Sequence, residues 1–250
     1  MGGPGTPVAG RCRSTRGSPA GGLKHVAGDQ ALQFFYGGTF DPVHNGHMAI
    51  ARAACDELGS TMRLMPAADP PHRDPPGADA FHRARMLDLA VAGEPGLVVD
   101  RRELQRQGRS YTIDTLRELR LEFGPSQPLA LLIGADSLLG LPTWREWRTL
   151  FGLAHFVVAP RPGSPVDTGL PPELAEALAG RWTGSPETLR HAPAGHLYLL
   201  NQPLQPESAS EVRRRISAGE AWQGLVPGPV AGYILAHGLY SQPGPVVSPV

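Results

Sequence analysis

Two cysteines, Cys12 and Cys55, are all that the 250-residue chain contains. So few exclude a secreted scaffold held together by disulfides. No apolar run approaches the roughly 20 residues needed to cross a bilayer, so no membrane partner is expected. An excess of charge of one sign is also lacking. Lys and Arg together number 23 and Asp and Glu 23, so no net field draws the chain toward nucleic acid or a membrane surface. Any anion site must therefore be local. The opening residues, MGGPGTPVAGRCRSTRGSPAGG, lack both the apolar centre of a secretory signal and the amphipathic pattern of a transit peptide. The expected compartment is the cytoplasm.

What is present is enough apolar material, 41%, for one sizeable core. Gly (31) and Pro (27) are abundant, and much of the excess lies at the two ends. Residues 1–30 are expected to be a disordered extension, 31–240 a single domain and 241–250 a flexible tail.

Between the ends, apolar patterns of two kinds alternate. Strands are expected at 32–38, 61–67, 97–104, 128–136, 155–163 and 195–200. Helices are expected at 47–59, 81–93, 110–124, 208–220 and 229–240, where apolar residues recur at helical spacing. Gly59 suits the end of the first helix. ADPPHRDPPGAD is too rich in proline for a helix. The segment 164–195, rich in Pro and Gly, reads as an insertion. Strand and helix in alternation argue for a parallel α/β sheet with crossover helices. PLALLIGAD, apolar on both faces, suits its centre.

Three stretches carry chemistry. In GGTFDPVHNGH a strand ends at Gly37 and Gly38, and a helix begins near Gly46–His47. Glycines let the backbone approach a phosphate, and a helix N-terminus offers free N–H groups and partial positive charge. His44 and His47 add donors able to carry positive charge. A zinc pair or an ordinary turn are the other readings, but no third and fourth metal ligand stand at compatible spacing. In SASEVRRR, Ser208 and Ser210 stand at a helix start with Arg213 one turn on, a second anion site or simply a capped basic helix. In LLIGADSLLGLPTWREWRTL, Asp136 follows a strand end at Gly134, where a carboxylate suits a ribose hydroxyl or a nucleotide's metal ion. Trp144 and Trp147, three apart, are expected on one helix face, one of them in the core.

Together GGTFDPVHNGH, PPHR, SYTIDTL, IGADSL…PTW, RPG and SASEVR occur in an order that resembles the bacterial nicotinate-nucleotide adenylyltransferases, over about residues 32–240. The resemblance implies a Rossmann-like α/β fold, a parallel sheet flanked by helices (the nucleotidyltransferase fold), with a small C-terminal helical portion. It implies ATP and nicotinate mononucleotide as partners, Mg²⁺ bound with ATP, no resident metal, and a monomer or homodimer. It also implies site roles. Gly37, Gly38, Thr39 and Phe40 match the loop under the ATP phosphates, and His44, His47 and Arg213 the catalytic positions. Gly134 and Asp136 match the ribose-binding strand end. Ser208 and Ser210 match positions holding the triphosphate. Thr112 and Trp144 match the nicotinate pocket, while Arg161, His72 and Arg73 match positions near substrate phosphate or triphosphate.

Three departures stand out. Glu207 and Ser210 occupy places where the family motif has Ile and Thr. Arg145 follows Trp144, where relatives often carry an aromatic residue, and its cation suits a nicotinate carboxylate or a substrate phosphate. The N-terminal extension has no counterpart in the family pattern. The rival readings are a sister transferase preferring nicotinamide mononucleotide and a nucleotide sensor without catalysis.

Overall fold

The computed structural model describes residues 1–3, 31–68, 77–106, 108–160, 169–202 and 206–241. Expectations placed on His72, Arg73 and Arg161, on most of the N-terminal extension and on the tail beyond 241 fall outside those residues. Among the described residues the strands are β1 (Gln33–Gly38), β2 (Met62–Pro66), β3 (Leu97–Val99), β4 (Leu129–Gly134), β5 (His155–Ala159), β6 (Trp182–Thr183) and β7 (Leu197–Leu199). The helices are α1 (Asn45–Leu58), α2 (Ala80–Val91), α3 (Thr112–Phe123), α4 (Ala135–Leu139), α5 (Trp147–Leu150), α6 (Pro172–Leu178), α7 (Ala209–Ala218) and α8 (Gly228–His237). The strands form one sheet in the order β3-β2-β1-β4-β5-β7-β6, every pair parallel.

Strand periodicity divides the core between two faces. Phe34, Tyr36, Leu132 and Val157 pack on one side with residues of α1, α2, α7 and α8. Phe35, Leu131, Ile133 and Phe156 pack on the other with α3, α4, α5 and α6. Both faces are covered, which is why β4 and β5 read as unbroken apolar runs. From β1 the chain builds outward through β2 and β3, then returns to place β4 on the other side of β1. That reversal opens a crevice above the carboxyl ends of β1 and β4, where ligands of such sheets bind.

Three expectations are corrected. The strand expected over 97–104 stops at Val99, and a 3₁₀ helix follows at Arg102–Gln105. The Asp100 carboxylate accepts from the Arg102 backbone N–H (3.0 Å) and guanidinium (2.9 Å), a local turn that competes with strand pairing. The supposed insertion contributes α6 and β6, and β6 extends the sheet by pairing with β7. Trp144 and Trp147 share no helix. Trp144 ends a 3₁₀ turn (Leu141–Thr143), and Glu146 (φ 52°) breaks the helical phase before α5 begins at Trp147. Trp147 is buried and packs edge-on to Phe151 at 6.2 Å.

Candidate active site

A cavity of about 330 Å³ lies above the carboxyl ends of β1 and β4. Gly37, Gly38, Thr39, Thr112, Gly134, Asp136, Trp144 and Arg145 line it, so eight of the residues singled out from the sequence meet there. Gly134 ends β4, and a Cβ built on it meets nothing within 4 Å. Gly38 is needed for a different reason. A Cβ there would stand 2.9 Å from the Phe40 ring, which is itself 1% exposed. Phe40 adopts a left-handed backbone conformation (φ 51°), uncommon for a bulky side chain. Its ring packs edge-on to Tyr36 (5.4 Å) and His47 (5.0 Å). The Phe40 side chain therefore belongs to the core, and only its backbone is left to serve a ligand.

The two histidines open α1 together. His44 is the N-cap, and its Nδ1 accepts from the backbone N–H of His47 at 3.3 Å. Nδ1 of His47 accepts in turn from the backbone N–H of His44 at 3.3 Å. This reciprocal pair takes the place of the usual Ser and Glu of a capping box. A backbone N–H can only donate, so both Nδ1 atoms are acceptors and each neutral ring carries its proton on Nε2. The ring centroids lie 3.7 Å apart. The expectation of positively charged histidines is thereby modified: a proton on either Nδ1 would face a backbone N–H. In each ring Nε2–H is the donor atom, and both rings stand at a helix N-terminus.

Ser208 is the N-cap of α7 and accepts from the Glu211 N–H at 3.2 Å. Arg213 reaches across to the loop after β1, where its Nη1 donates to the Asp41 carbonyl at 2.6 Å and stands 3.6 Å from the Asp41 carboxylate. Its other nitrogen is 3.5 Å from the Ser210 hydroxyl. Two segments about 170 residues apart in sequence are thus joined (Asp41 to Arg213). Asp41, 4% exposed, fixes the junction. Its carboxylate accepts from the N–H of Gly77 (2.7 Å), the N–H of Ala78 (3.0 Å) and the hydroxyl of Tyr240 (2.7 Å). Burial, and then the neighbouring Asp41 carboxylate, push the Tyr240 hydroxyl far above its ordinary pKa, so it stays a donor.

A family model described as cytidylyltransferase-like matches residues 35–215. A relative from Stenotrophomonas maltophilia (strain K279a), named probable nicotinate-nucleotide adenylyltransferase, is 59% identical over 220 residues, covering 86% of this chain and 99% of its own length. The chain belongs to the nicotinate-nucleotide adenylyltransferases of the cytidylyltransferase-like family. A protein of the same name from Xylella fastidiosa (strain 9a5c) is 52% identical over 84% of this chain and 96% of its own length. In fold, the chain is similar to the Plasmodium falciparum nicotinic acid mononucleotide adenylyltransferase solved with NaAD, at a TM-score of 0.65 and 16% identity, over 84% of this chain and 97% of that one.

Two residues of this nicotinate-nucleotide adenylyltransferase escaped the sequence reading. Arg83 of α2 is 1% exposed, and its guanidinium donates to the carbonyls of Thr39 (2.8 Å), Ala67 (2.6 Å), Ala68 (2.9 Å) and Ala78 (3.1 Å). It ties the loop after β1 to the end of β2 and the start of α2. Burial lowers its pKa, and Asp41 is the chief group opposing that shift. A signal existed: Arg83 shares its helix face with Met86, Leu87 and Ala90, an arginine where an apolar residue belongs. The other is Glu103, a buried carboxyl in the cavity wall. Burial pushes its pKa up, opposed first by the Thr115 hydroxyl, which donates to it at 2.6 Å. Its signal was hidden, because an expected strand covered the position.

Among the described residues no group of three or more His, Cys, Asp or Glu side chains is arranged to hold a metal ion. No helix among them is long and apolar enough to cross a membrane.

Proposed function

We propose that the protein transfers the adenylyl group of ATP to nicotinate mononucleotide, giving nicotinate adenine dinucleotide (deamido-NAD) and pyrophosphate. An oxygen of the mononucleotide's phosphate attacks the α-phosphorus of ATP, and the bond from that phosphorus to the β-phosphate oxygen breaks. No protein nucleophile is required, so the chain's work is positioning and charge stabilisation. One geometric observation carries the reading. Gly37, Gly38 and Thr39 line the cavity, and Asp41, two residues on, holds Arg213. The same loop therefore borders a site for one substrate and anchors a cation for the other.

In this proposal the cavity takes the mononucleotide, with Thr112 and Trp144 against the pyridine ring. Asp136, at the end of β4, serves the ATP ribose. The α1 and α7 N-termini, with Ser208, Ser210 and Arg213, hold the triphosphate. Nε2–H of His47 donates to the charge that develops on the phosphoryl oxygens, with His44 beside it. Mg²⁺ enters with ATP and neutralises triphosphate charge; the chain's own donors suit phosphate oxygens rather than a resident ion. The setting we propose is the cytoplasm.

The test is direct. Incubate the protein with ATP, Mg²⁺ and nicotinate mononucleotide, and follow pyrophosphate and dinucleotide. Both should appear in equal amounts, and no release above background would sink the proposal. Repeating the assay with nicotinamide mononucleotide separates the acid-specific enzyme from the amide-preferring rival by kcat/KM.

A further inference from the structure

We propose that Arg145 sets the preference for the acid over the amide form of the mononucleotide by pairing with the ring carboxylate. The proposal deepens the reading above and rests on it.

Arg145 stands beside Trp144 in the cavity wall. The charged groups among the lining residues are Glu103, Asp136 and Arg145. Glu103 is buried, and burial favours its neutral form. Asp136 stands at the end of β4, on the wall assigned to the ribose. Arg145 is therefore the single cation among the described lining residues. Among the described lining residues, an anionic ring substituent entering the cavity has this guanidinium as its one cationic partner.

The guanidinium is held loosely. Its carbon lies 5.1 Å over the Tyr111 ring. Its two carboxylate neighbours, Asp114 and Glu146, are each 3.9 Å away, beyond hydrogen-bond reach. Glu146 is already engaged by Arg117 through bonds of 3.2 and 2.6 Å. The planar fork of donors thus keeps capacity for a bidentate carboxylate. Stacking fixes where the cation stands, because Tyr111 is the N-cap of α3 and Thr112, the next residue, lines the same cavity.

Selectivity follows from what the two substrates do not share. Both carry the same ribose and phosphate, and only one carries a negative charge on the ring. A carboxamide is neutral and sets an NH₂ donor against the Arg145 donors, whereas a carboxylate accepts from them. Because the side chain is 54% exposed, water screens the pair and the effect is moderate rather than absolute.

The experiment compares the wild type with Arg145→Gln and Arg145→Lys. For each protein, kcat/KM and calorimetric Kd are measured for nicotinate and nicotinamide mononucleotides. Thermal melting checks that the variants fold, as a half-exposed position should allow. The expected result is that Arg145→Gln lowers the acid-to-amide ratio about tenfold, chiefly through KM and Kd of the acid. Lysine should restore part of the ratio. An equal loss for both substrates would place the cation on the shared phosphate and overturn the proposal; an unchanged ratio would overturn it too. Failure of the proposed function would look different, because the wild type would then release no pyrophosphate with either mononucleotide. The ratio of Kd values would still decide the role of Arg145.

Discussion

His47 does two things, and only one of them has a substitute nearby. Its Nδ1 completes the cap of α1, and its Nε2–H is the donor that the proposed function assigns to the phosphoryl oxygens. Replacing it with alanine removes both, but His44 still caps the helix through its own Nδ1. The loss should therefore fall on the chemical step. One charge-stabilising donor is worth about 3 kcal/mol of barrier, so His47→Ala should lower kcat by roughly a hundredfold or more and change the KM for ATP far less. Steady-state kinetics with saturating mononucleotide check this, and a wild-type kcat would remove His47 from its role. The sequence made the pair of histidines legible, since two of them beside a helix start at a strand end suggest an anion site. It did not make their tautomers legible. H-x-x-H spacing is equally compatible with two metal ligands or two imidazolium ions. Only the reciprocal bonds from backbone N–H to Nδ1 decide between these.

Arg83 shows how one helix organises three loops. α2 brings its guanidinium under the carbonyls of Thr39, Ala67, Ala68 and Ala78, so the cavity loop, the end of β2 and the start of α2 share one anchor. A buried charge is costly unless its donors are satisfied, and here carbonyl oxygens satisfy them. Methionine would fill similar volume but leave those carbonyls without a donor. Arg83→Met should therefore destabilise the protein by roughly 3 kcal/mol or more, with Lys in between. Urea unfolding measures this, and a midpoint equal to that of the wild type would show that the anchor is dispensable. The KM for nicotinate mononucleotide should rise as well, because Thr39, which lines its proposed cavity, loses its support. At this scale most of the fold was readable. The helical period marked α1, α2, α3, α7 and α8, short apolar stretches marked β1 and β2, and unbroken apolar runs marked β4 and β5. The failures share a cause. β3 ends early because Asp100 bonds locally to Arg102, and the helix phase breaks at Glu146 because its backbone turns left-handed. β6 is two residues long and exists only because β7 is there to pair with it. Local side-chain competition and pairing at a distance leave no periodic trace.

Acid stability belongs to the whole molecule, and His155 of β5 is well placed to limit it. The residue is fully buried. Its Nε2–H donates to the Ala192 carbonyl at 2.8 Å, and its Nδ1 accepts from the His196 N–H at 3.0 Å. Both ring nitrogens are used, so the folded protein has no place for a second proton. Burial, the largest cause, pushes its pKa down from 6.5 to about 4. Above pH 6.5 the residue is neutral in both folded and unfolded chains and contributes nothing to pH dependence. As pH falls through 6.5 the unfolded chain takes up a proton that the folded one refuses. Stability should therefore decline between about pH 6.5 and 4, by on the order of 3 kcal/mol over the window, and level off below it. Glu103 works in the opposite direction. Its raised pKa means that the folded state gains a proton first as pH falls, which relieves a cost present at neutral pH. Carboxylates with lowered values, such as Glu211 at about 2, lose their contribution only as pH drops below the ordinary carboxylate range. His155 should therefore contribute to the slope between pH 6.5 and 5. His155→Gln keeps an acceptor for the His196 N–H and a donor for Ala192 but cannot titrate. Urea unfolding at pH 7, 6 and 5 should show a falling stability in the wild type and a clearly shallower fall in the variant. A variant that keeps the wild-type slope would assign the acid sensitivity to other groups, and the buried imidazole would then be a structural bridge without a role in titration.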